Sequence, residues 1–214
     1  GARLAIADGF SAATFWNEVR HYGASVVFYA GSMCRELVDA PPDPSERTHP
    51  LRLFAGSGMP RNVWRRLIER FGPLSVVEFY ASTEGNVSLA NVEGMPGAIG
   101  RIPPFLAHRF PAALIRYDEG TDAPLRDGRG LCVPCGVNEP GEAIGRLDRD
   151  PANVGSWFEG YTDEGASRQR IVRDVFEPGD AWCRTGDLMR RDERGYVYFL
   201  DRLGDTFRWK GENV

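Results

Sequence analysis

The chain has 214 residues, 42% of them hydrophobic and 26% charged, with a formal net charge of -4. This is the composition of an ordinary globular chain, long enough for one large domain or two small ones. The acidic balance and scattered basic residues argue against a nucleic-acid partner; no apolar run approaches the roughly 20 residues a membrane-spanning helix needs, and no basic-then-apolar leader opens the chain.

The first hundred residues alternate helix and strand patterns. Ser11 can cap a helix whose apolar face is Phe15, Trp16, Val19 and Tyr22, with Gly23 as its left-handed stop. Ser25 to Tyr29 is a short apolar, β-branched run and predicts a buried strand. Gly31 to Ala40 predicts a short helix ended by Pro41 and Pro42, and the proline-rich stretch to Pro50 a surface loop. Leu51 to Ala55 predicts a second strand. Pro60 suits a helix start, with Val63, Trp64, Leu67, Ile68 and Phe71 as the buried stripe before Gly72. Val76 to Tyr80 predicts the next strand. Such alternation implies a mostly parallel sheet with helices on its faces.

After about Gly100 the texture changes to dense Pro and Gly with short apolar runs at Ala112 to Tyr117, Gly130 to Val133 and Glu142 to Leu147. That predicts antiparallel strands with long turns. One helix is expected from Thr162 to Val175, capped by Thr162 or Asp163. Asp187 to Arg191 and Tyr196 to Leu200 predict a hairpin turned at Asp192-Glu193-Arg194-Gly195. The expected architecture is therefore α/β: a parallel-sheet subdomain over 1–100, a smaller antiparallel, barrel-like β subdomain over 101–200, and a short closing segment over 201–214.

Four places can carry chemistry. Glu78-Phe79-Tyr80-Ala81-Ser82-Thr83-Glu84-Gly85-Asn86 runs a strand into a small-residue turn, the end of an α/β strand where ligands bind. Tyr80 offers a flat face to a base, Thr83 a hydroxyl to a phosphate, and Glu84 a hard oxygen to Mg²⁺. Taken alone, these residues read more readily as a solvated β-turn. Gly56-Ser57-Gly58 lets backbone approach a ligand but lacks the third glycine of a dinucleotide fingerprint. Thr185-Gly186-Asp187 presents a carboxylate that can accept both hydrogens of a ribose diol, or that simply ends a surface turn. Arg202, a permanent charge, can reach ribose or phosphate. Cys132 and Cys135 form a lone C-x-x-C; no second Cys or His pair stands nearby to complete a metal tetrahedron, so reduced thiols are the expectation.

Together these places resemble the adenylate-forming (acyl-activating) enzymes, and in detail the branch of very-long-chain acyl-CoA synthetases and fatty acid transport proteins. The family's Tyr-Gly-x-Thr-Glu element is matched by Tyr80-Ala81-Ser82-Thr83-Glu84, its Thr-Gly-Asp by Thr185-Gly186-Asp187, and its hinge by Asp201-Arg202-Leu203-Gly204-Asp205. Val63-Trp64, Arg70-Phe71-Gly72, Phe176, Gly179-Asp180, Trp182 and Phe207-Arg208-Trp209-Lys210-Gly211-Glu212-Asn213 extend the match, which runs from Phe10 to Val214. The resemblance implies part of the large N-terminal domain of such an enzyme. It implies Tyr80 on the adenine, with Ala81 and Ser82 beside it, Thr83 on the phosphate, Glu84 on Mg²⁺, and Asp187 on the ribose. It also implies Arg202 at ribose or phosphate and Gly56, Ser57 and Gly58 along the adenine and acyl pocket. Thr83, Glu84 and Arg202 are the expected catalytic residues. Ala81 can replace the commoner Gly where the backbone needs no positive φ. Gly204 and Asp205 are both open as the pivot.

The implied reaction joins a fatty acid to CoA at the expense of ATP, with Mg²⁺, through an acyl-adenylate. A fatty acid uptake protein with coupled or lost ligase activity, an acyl-AMP ligase and an inert module are the other readings. The expected setting is cytoplasmic, with peripheral membrane association and oligomeric state left open. No Ser/Thr/Gly-rich loop ending in Lys, which the family uses for the triphosphate, occurs in the chain, and its first residue is Gly1 rather than Met. Both observations predict a piece of a longer protein.

Overall fold

The structure, a computed structural model, describes residues 1–81, 87–118, 120–147, 170–203, 208–209 and 212–213. The chain divides into two compact units, Gly1–Phe79 with Asn91–Ala98 and Arg208–Val214, and Tyr80–Ala90 with Ile99–Phe207.

In the first unit the elements run α1 (Phe15–Tyr22), β1 (Val26–Ala30), α2 (Gly31–Asp39), β2 (Leu53–Ser57), α3 (Arg61–Phe71) and β3 (Ser75–Ala81). β1, β2 and β3 pair in parallel, Phe28 opposite Ala55 and Ala55 opposite Val77. β4 (Ser88–Asn91) is the fourth strand, in the order β1-β2-β3-β4. Alternation decides what each strand buries. Tyr29, Phe54 and Val76 join Phe15, Trp16, Val19, Leu37, Leu67 and Phe71 in one apolar cluster. Their neighbours Val26 and Phe28 point the other way and are exposed, Phe28 by 72%. The expected buried strand is thus half-buried, because β1 is an edge strand and the apolar residues of the helices gather with its alternate residues.

Two further expectations shift. Thr14, not Ser11, precedes the first helical residue; the Ser11 carbonyl, rather than its side chain, accepts the N–H groups of Thr14 and Phe15 at 3.2 and 3.0 Å. Tyr22 lies outside the buried face and is exposed. Gly23 ends α1 in the left-handed conformation, and Pro60 precedes α3, as read from the sequence.

The second unit contains a short 3-10 turn (Pro104–Leu106), β5 (Ala112–Ile115), a two-stranded ribbon of β6 (Tyr117–Asp118) and β7 (Ala123–Pro124), then β8 (Gly141–Arg146), β9 (Ile171–Arg173), β10 (Ala181–Arg191) and β11 (Val197–Arg202). Its main sheet is antiparallel, ordered β11-β10-β8-β5, with β9 also paired to β10. β8 is covered on both faces: Ala143 joins Val87, Leu89, Ile99, Met189 and Val197, while Ile144 joins Ile115, Val172, Val175 and Trp182. The expected hairpin forms. Its turn is tied by the Asp192 carboxylate, which accepts the N–H groups of Arg194 and Tyr196 at 2.9 Å each.

The expected helix from Thr162 to Val175 is corrected at its described end. Ile171–Arg173 is a strand, since β-branched Ile171 and Val172 pair with Cys183 and Trp182 of β10. Residues 162–169 lie outside the described residues. Gly130 to Val133 forms no strand; Cys132 makes only an isolated bridge to Arg126. All four cysteines are free thiols.

Arg70 on α3 carries much of the tertiary order of the first unit. The last carbonyls of a helix have no partner within it. Arg70 Nη1 donates to the carbonyls of Leu37, Val38 and Ala40 at 3.3, 3.1 and 2.7 Å, and Nη2 to Pro41 at 3.0 Å and the Glu46 carboxylate at 2.8 Å. Its fork therefore closes the C-terminus of α2 and the proline loop at once. Arg70→Met is expected to cost roughly 1.5–3 kcal/mol in urea unfolding, with Arg70→Lys recovering less than half, because an ammonium cannot span those acceptors.

Candidate functional site

The glycine-bearing end of β2, with Gly58 just beyond it, is shaped by packing. A methyl group on Gly56 would lie 2.1 Å from the Tyr29 carbonyl oxygen, so β1 and β2 approach here as only glycine allows. Gly58 has φ 80, a left-handed value that spares glycine the strain of a side chain. Beneath this stretch lies Glu78 of β3, 2% exposed. Its carboxylate accepts the Tyr29 hydroxyl and the Gly58 N–H in short contacts, and the Met59 N–H at 3.1 Å. Burial pushes the Glu78 carboxyl up to about 7, against the pull of those three donors.

Tyr80, two residues on, belongs to the second unit. Its ring packs against the cluster of Val87, Leu89, Met189 and Val197. Its hydroxyl donates to Asp187 Oδ2 at 2.5 Å, across 107 positions of sequence. Burial and the Asp187 carboxylate push that hydroxyl well above the usual tyrosine range, so it stays a donor. Ala81 is still strand and is not among the residues of positive φ, which is why alanine can stand where the resembled family prefers glycine.

Asp187 is placed by an irregularity in β10. Arg184 faces Ile144 of β8, yet Leu188 faces Glu142, so Thr185, Gly186 and Asp187 stand opposite Ala143 alone. Bulges of this kind re-aim side chains beside sites. Gly186 at φ 72 makes the bend, and a methyl group there would meet Arg170 Nη1 at 2.8 Å. Thr185 Oγ1 donates to the Ala143 carbonyl at 2.8 Å and accepts the Asp187 N–H at 3.0 Å. Asp187 is 3% exposed, and its Oδ1 accepts no hydrogen bond among the described residues. Arg202 Nε stands 3.8 Å from that oxygen, opposite Asp187 in the β10–β11 register. A buried carboxylate oxygen with open acceptor capacity fits a ligand hydroxyl, which would supply the missing donor.

The structure thus brings Tyr80, Asp187 and Arg202 together in one unit. In the other it places Gly56 and Ser57 at the end of β2 and Gly58 just beyond it. Ser82, Thr83, Glu84, Gly204 and Asp205 lie outside the described residues. Sequence reading passed over Glu78 and Glu142, the latter fully buried with Arg184 Nε at 2.9 and 3.0 Å. The available signal was a lone carboxylate inside an otherwise apolar strand, a residue type rarely buried without a purpose. No group of three or more His, Cys, Asp or Glu among the described residues is arranged to hold a metal ion, and no described helix is long and apolar enough to cross a membrane.

A family model described as AMP-binding enzyme matches residues 1–142. Over its whole length the chain is 44% identical to long-chain fatty acid transport protein 3 and 41% identical to long-chain fatty acid transport protein 1, both of Homo sapiens, covering 31% and 33% of them. The chain therefore spans about a third of the length of these relatives. Among solved structures, the amide bond synthetase McbA from Marinactinospora thermotolerans matches with a TM-score of 0.66 at 20% identity, over 97% of this chain and 37% of that one. The Mycobacterium tuberculosis fatty acyl CoA synthetase matches at 0.58 and 20% identity, over 95% and 36%. Both likenesses are of fold.

Two outcomes are expected. Tyr80→Phe removes the donor to Asp187 Oδ2 and should lower unfolding stability by roughly 1–3 kcal/mol in urea titrations. Glu78 has its carboxyl raised in the fold from an ordinary 4.5 to about 7, so its contribution to stability is fully present below pH 4.5 and is lost as pH rises through 7. Glu78→Gln cannot ionise. Measured at pH 5 and pH 8, the variant should gain on the native chain toward pH 8, by at most about 3 kcal/mol.

Proposed function

This chain belongs to the AMP-binding enzymes, and from that premise we propose that it is the nucleotide-gripping part of an ATP-dependent long- or very-long-chain fatty acyl-CoA synthetase. The observation that carries this reading is the buried Asp187 carboxylate, with Oδ1 open and Oδ2 occupied by Tyr80. A ribose diol supplies two O–H donors of the kind that oxygen lacks, and a charged acceptor makes such bonds strong. The similarity to long-chain fatty acid transport proteins along the whole chain supplies the acyl side of the proposal.

In the proposed reaction a fatty carboxylate oxygen attacks the α-phosphorus of ATP, the bond to the β,γ-diphosphate breaks, and acyl-adenylate and pyrophosphate result. The CoA thiol then attacks the acyl carbonyl, loses its proton and releases AMP. The protein's share is positioning and charge neutralisation. Asp187 fixes the ribose and thereby the α-phosphate. Tyr80 offers its ring face to the adenine while its hydroxyl anchors Asp187. Arg202 contributes a permanent positive charge beside the same carboxylate. Thr83 takes a phosphate oxygen. Glu84 would hold Mg²⁺, which supplies neutralisation of phosphate charge when bound. Gly56, Ser57 and Gly58 are assigned to the adenine and acyl pocket. The complete reaction belongs to a longer protein, because the triphosphate loop expected of such an enzyme is not found in these 214 residues.

The names of the similar transport proteins favour a second reading, uptake of fatty acid coupled to the ligase step, at a membrane surface reached from the cytoplasm. Thioester formation separates both ligase readings from a transporter that has lost the ligase step, since such a transporter makes no acyl-CoA.

The test uses the full-length protein with a long-chain fatty acid, ATP, Mg²⁺ and CoA. Fatty-acid-dependent exchange of pyrophosphate into ATP, followed by acyl-CoA formation, is expected. Glu84→Ala is expected to abolish both, and Asp187→Ala to lower both by about 100-fold while leaving a measurable rate. Full activity in either variant would overturn the site assignment.

A further inference from the structure

The bulge that aims Asp187 has a support on its inner side. A strand that spends three residues against one leaves backbone groups outside the ladder, and such groups must find partners. Glu142, on β8 directly beneath, has no solvent exposure. Its Oε1 accepts the Gly186 N–H at 3.2 Å, while both carboxylate oxygens receive Arg184 Nε. Arg184 is the last residue paired before the bulge and Gly186 its midpoint. One carboxylate therefore ties the start and the centre of the bend. The next peptide along the bulge is held as well: the Gly186 carbonyl, which leads into Asp187, accepts the Leu203 N–H at 2.7 Å, next to Arg202. Arg170 donates weakly to the Arg184 carbonyl at 3.5 Å and blocks any side chain at Gly186.

Stability does not explain this arrangement. A buried ion pair commonly contributes no more than well-packed apolar residues of the same volume. What the carboxylate supplies, and an apolar side chain could not, is an acceptor for the Gly186 N–H.

We propose that Glu142 is a positioning residue: it fixes the Gly186 peptide so that the open oxygen of Asp187 stays aimed at the nucleotide ribose. The inference rests on the reading of Asp187 given above. Glu142 touches no substrate and acts through Asp187, with Arg184 as its counter-charge.

The readout is the ratio of kcat/KM for ATP over 2′-deoxy-ATP in the full-length protein, alongside KM for the fatty acid. Loss of folded protein lowers both nucleotide rates alike and leaves the ratio unchanged, whereas a mis-aimed Asp187 lowers the ratio itself. The unsubstituted enzyme is expected to prefer ATP by about 10- to 100-fold, the range of one hydrogen bond to a charged group. Asp187→Ala should bring the ratio to about 1 to 3. Glu142→Met combined with Arg184→Met leaves no unpaired buried charge, so it should fold, and it should lower the ratio by at least about 5-fold with the fatty acid KM within about 2-fold. Glu142→Gln keeps an acceptor oxygen for Gly186 and should fall between the unsubstituted enzyme and the double variant. If Asp187→Ala loses the preference while the double variant keeps it, the positioning role is overturned and the ribose reading stands. If Asp187→Ala keeps the preference, the ribose reading falls and this inference with it.

Discussion

A carboxylate taken out of water must be repaid by donors, or it costs several kcal/mol. Much of the local architecture follows from meeting that requirement three times. Glu78 collects a tyrosine hydroxyl and two backbone N–H groups; Glu142 collects a guanidinium and one backbone N–H; Asp187 collects a tyrosine hydroxyl and the nearby Arg202. In the first two cases the backbone donors belong to glycine-bearing turns. A turn tied to a buried charge cannot relax without stranding that charge, so the turns inherit the rigidity of the core. Asp187 differs in one respect: one of its oxygens has no donor among the described residues. Where the other two carboxylates are satisfied by the fold, this one leaves capacity for a ligand.

The two sheets impose different geometries on these groups. In the parallel sheet, strand alternation sends Tyr29, Phe54 and Val76 into the helix-covered core, and Glu78 follows Val76 by two positions onto the same face. That face is where a turn's N–H groups can be reached from beneath. In the antiparallel sheet, regular pairing would leave Asp187 in an ordinary ladder position. The bulge against β8 interrupts it and gives Asp187 a neighbour on each side, Tyr80 through its hydroxyl and Arg202 through cross-strand register. Catalytic positioning of the proposed kind needs rigid elements beneath the site rather than free loops, and β8, covered on both faces, is such an element.

The sequence by itself determined the order and type of most elements, because periodicity, proline and glycine act locally. The stripe Val63, Trp64, Leu67 and Phe71, the stop at Gly23 and the hairpin at Asp192 to Gly195 needed no distant information. Tyr80, Thr83, Glu84, Asp187 and Arg202 came together as a set through the resemblance to the adenylate-forming enzymes, since each short motif taken alone reads as readily as a surface turn. Tertiary structure decided what depended on partners far away in the chain. Ile171 to Arg173 became a strand because β10 offered a pairing edge, and β1 came out half-exposed because helices gathered on one of its faces. The contact between Tyr80 and Asp187 spans 107 positions, and the roles of Glu78 and Glu142 exist only where a turn folds over them. A local pattern can announce a carboxylate in a strand; whether that carboxylate is a cost or a support is fixed by which N–H groups the fold carries to it.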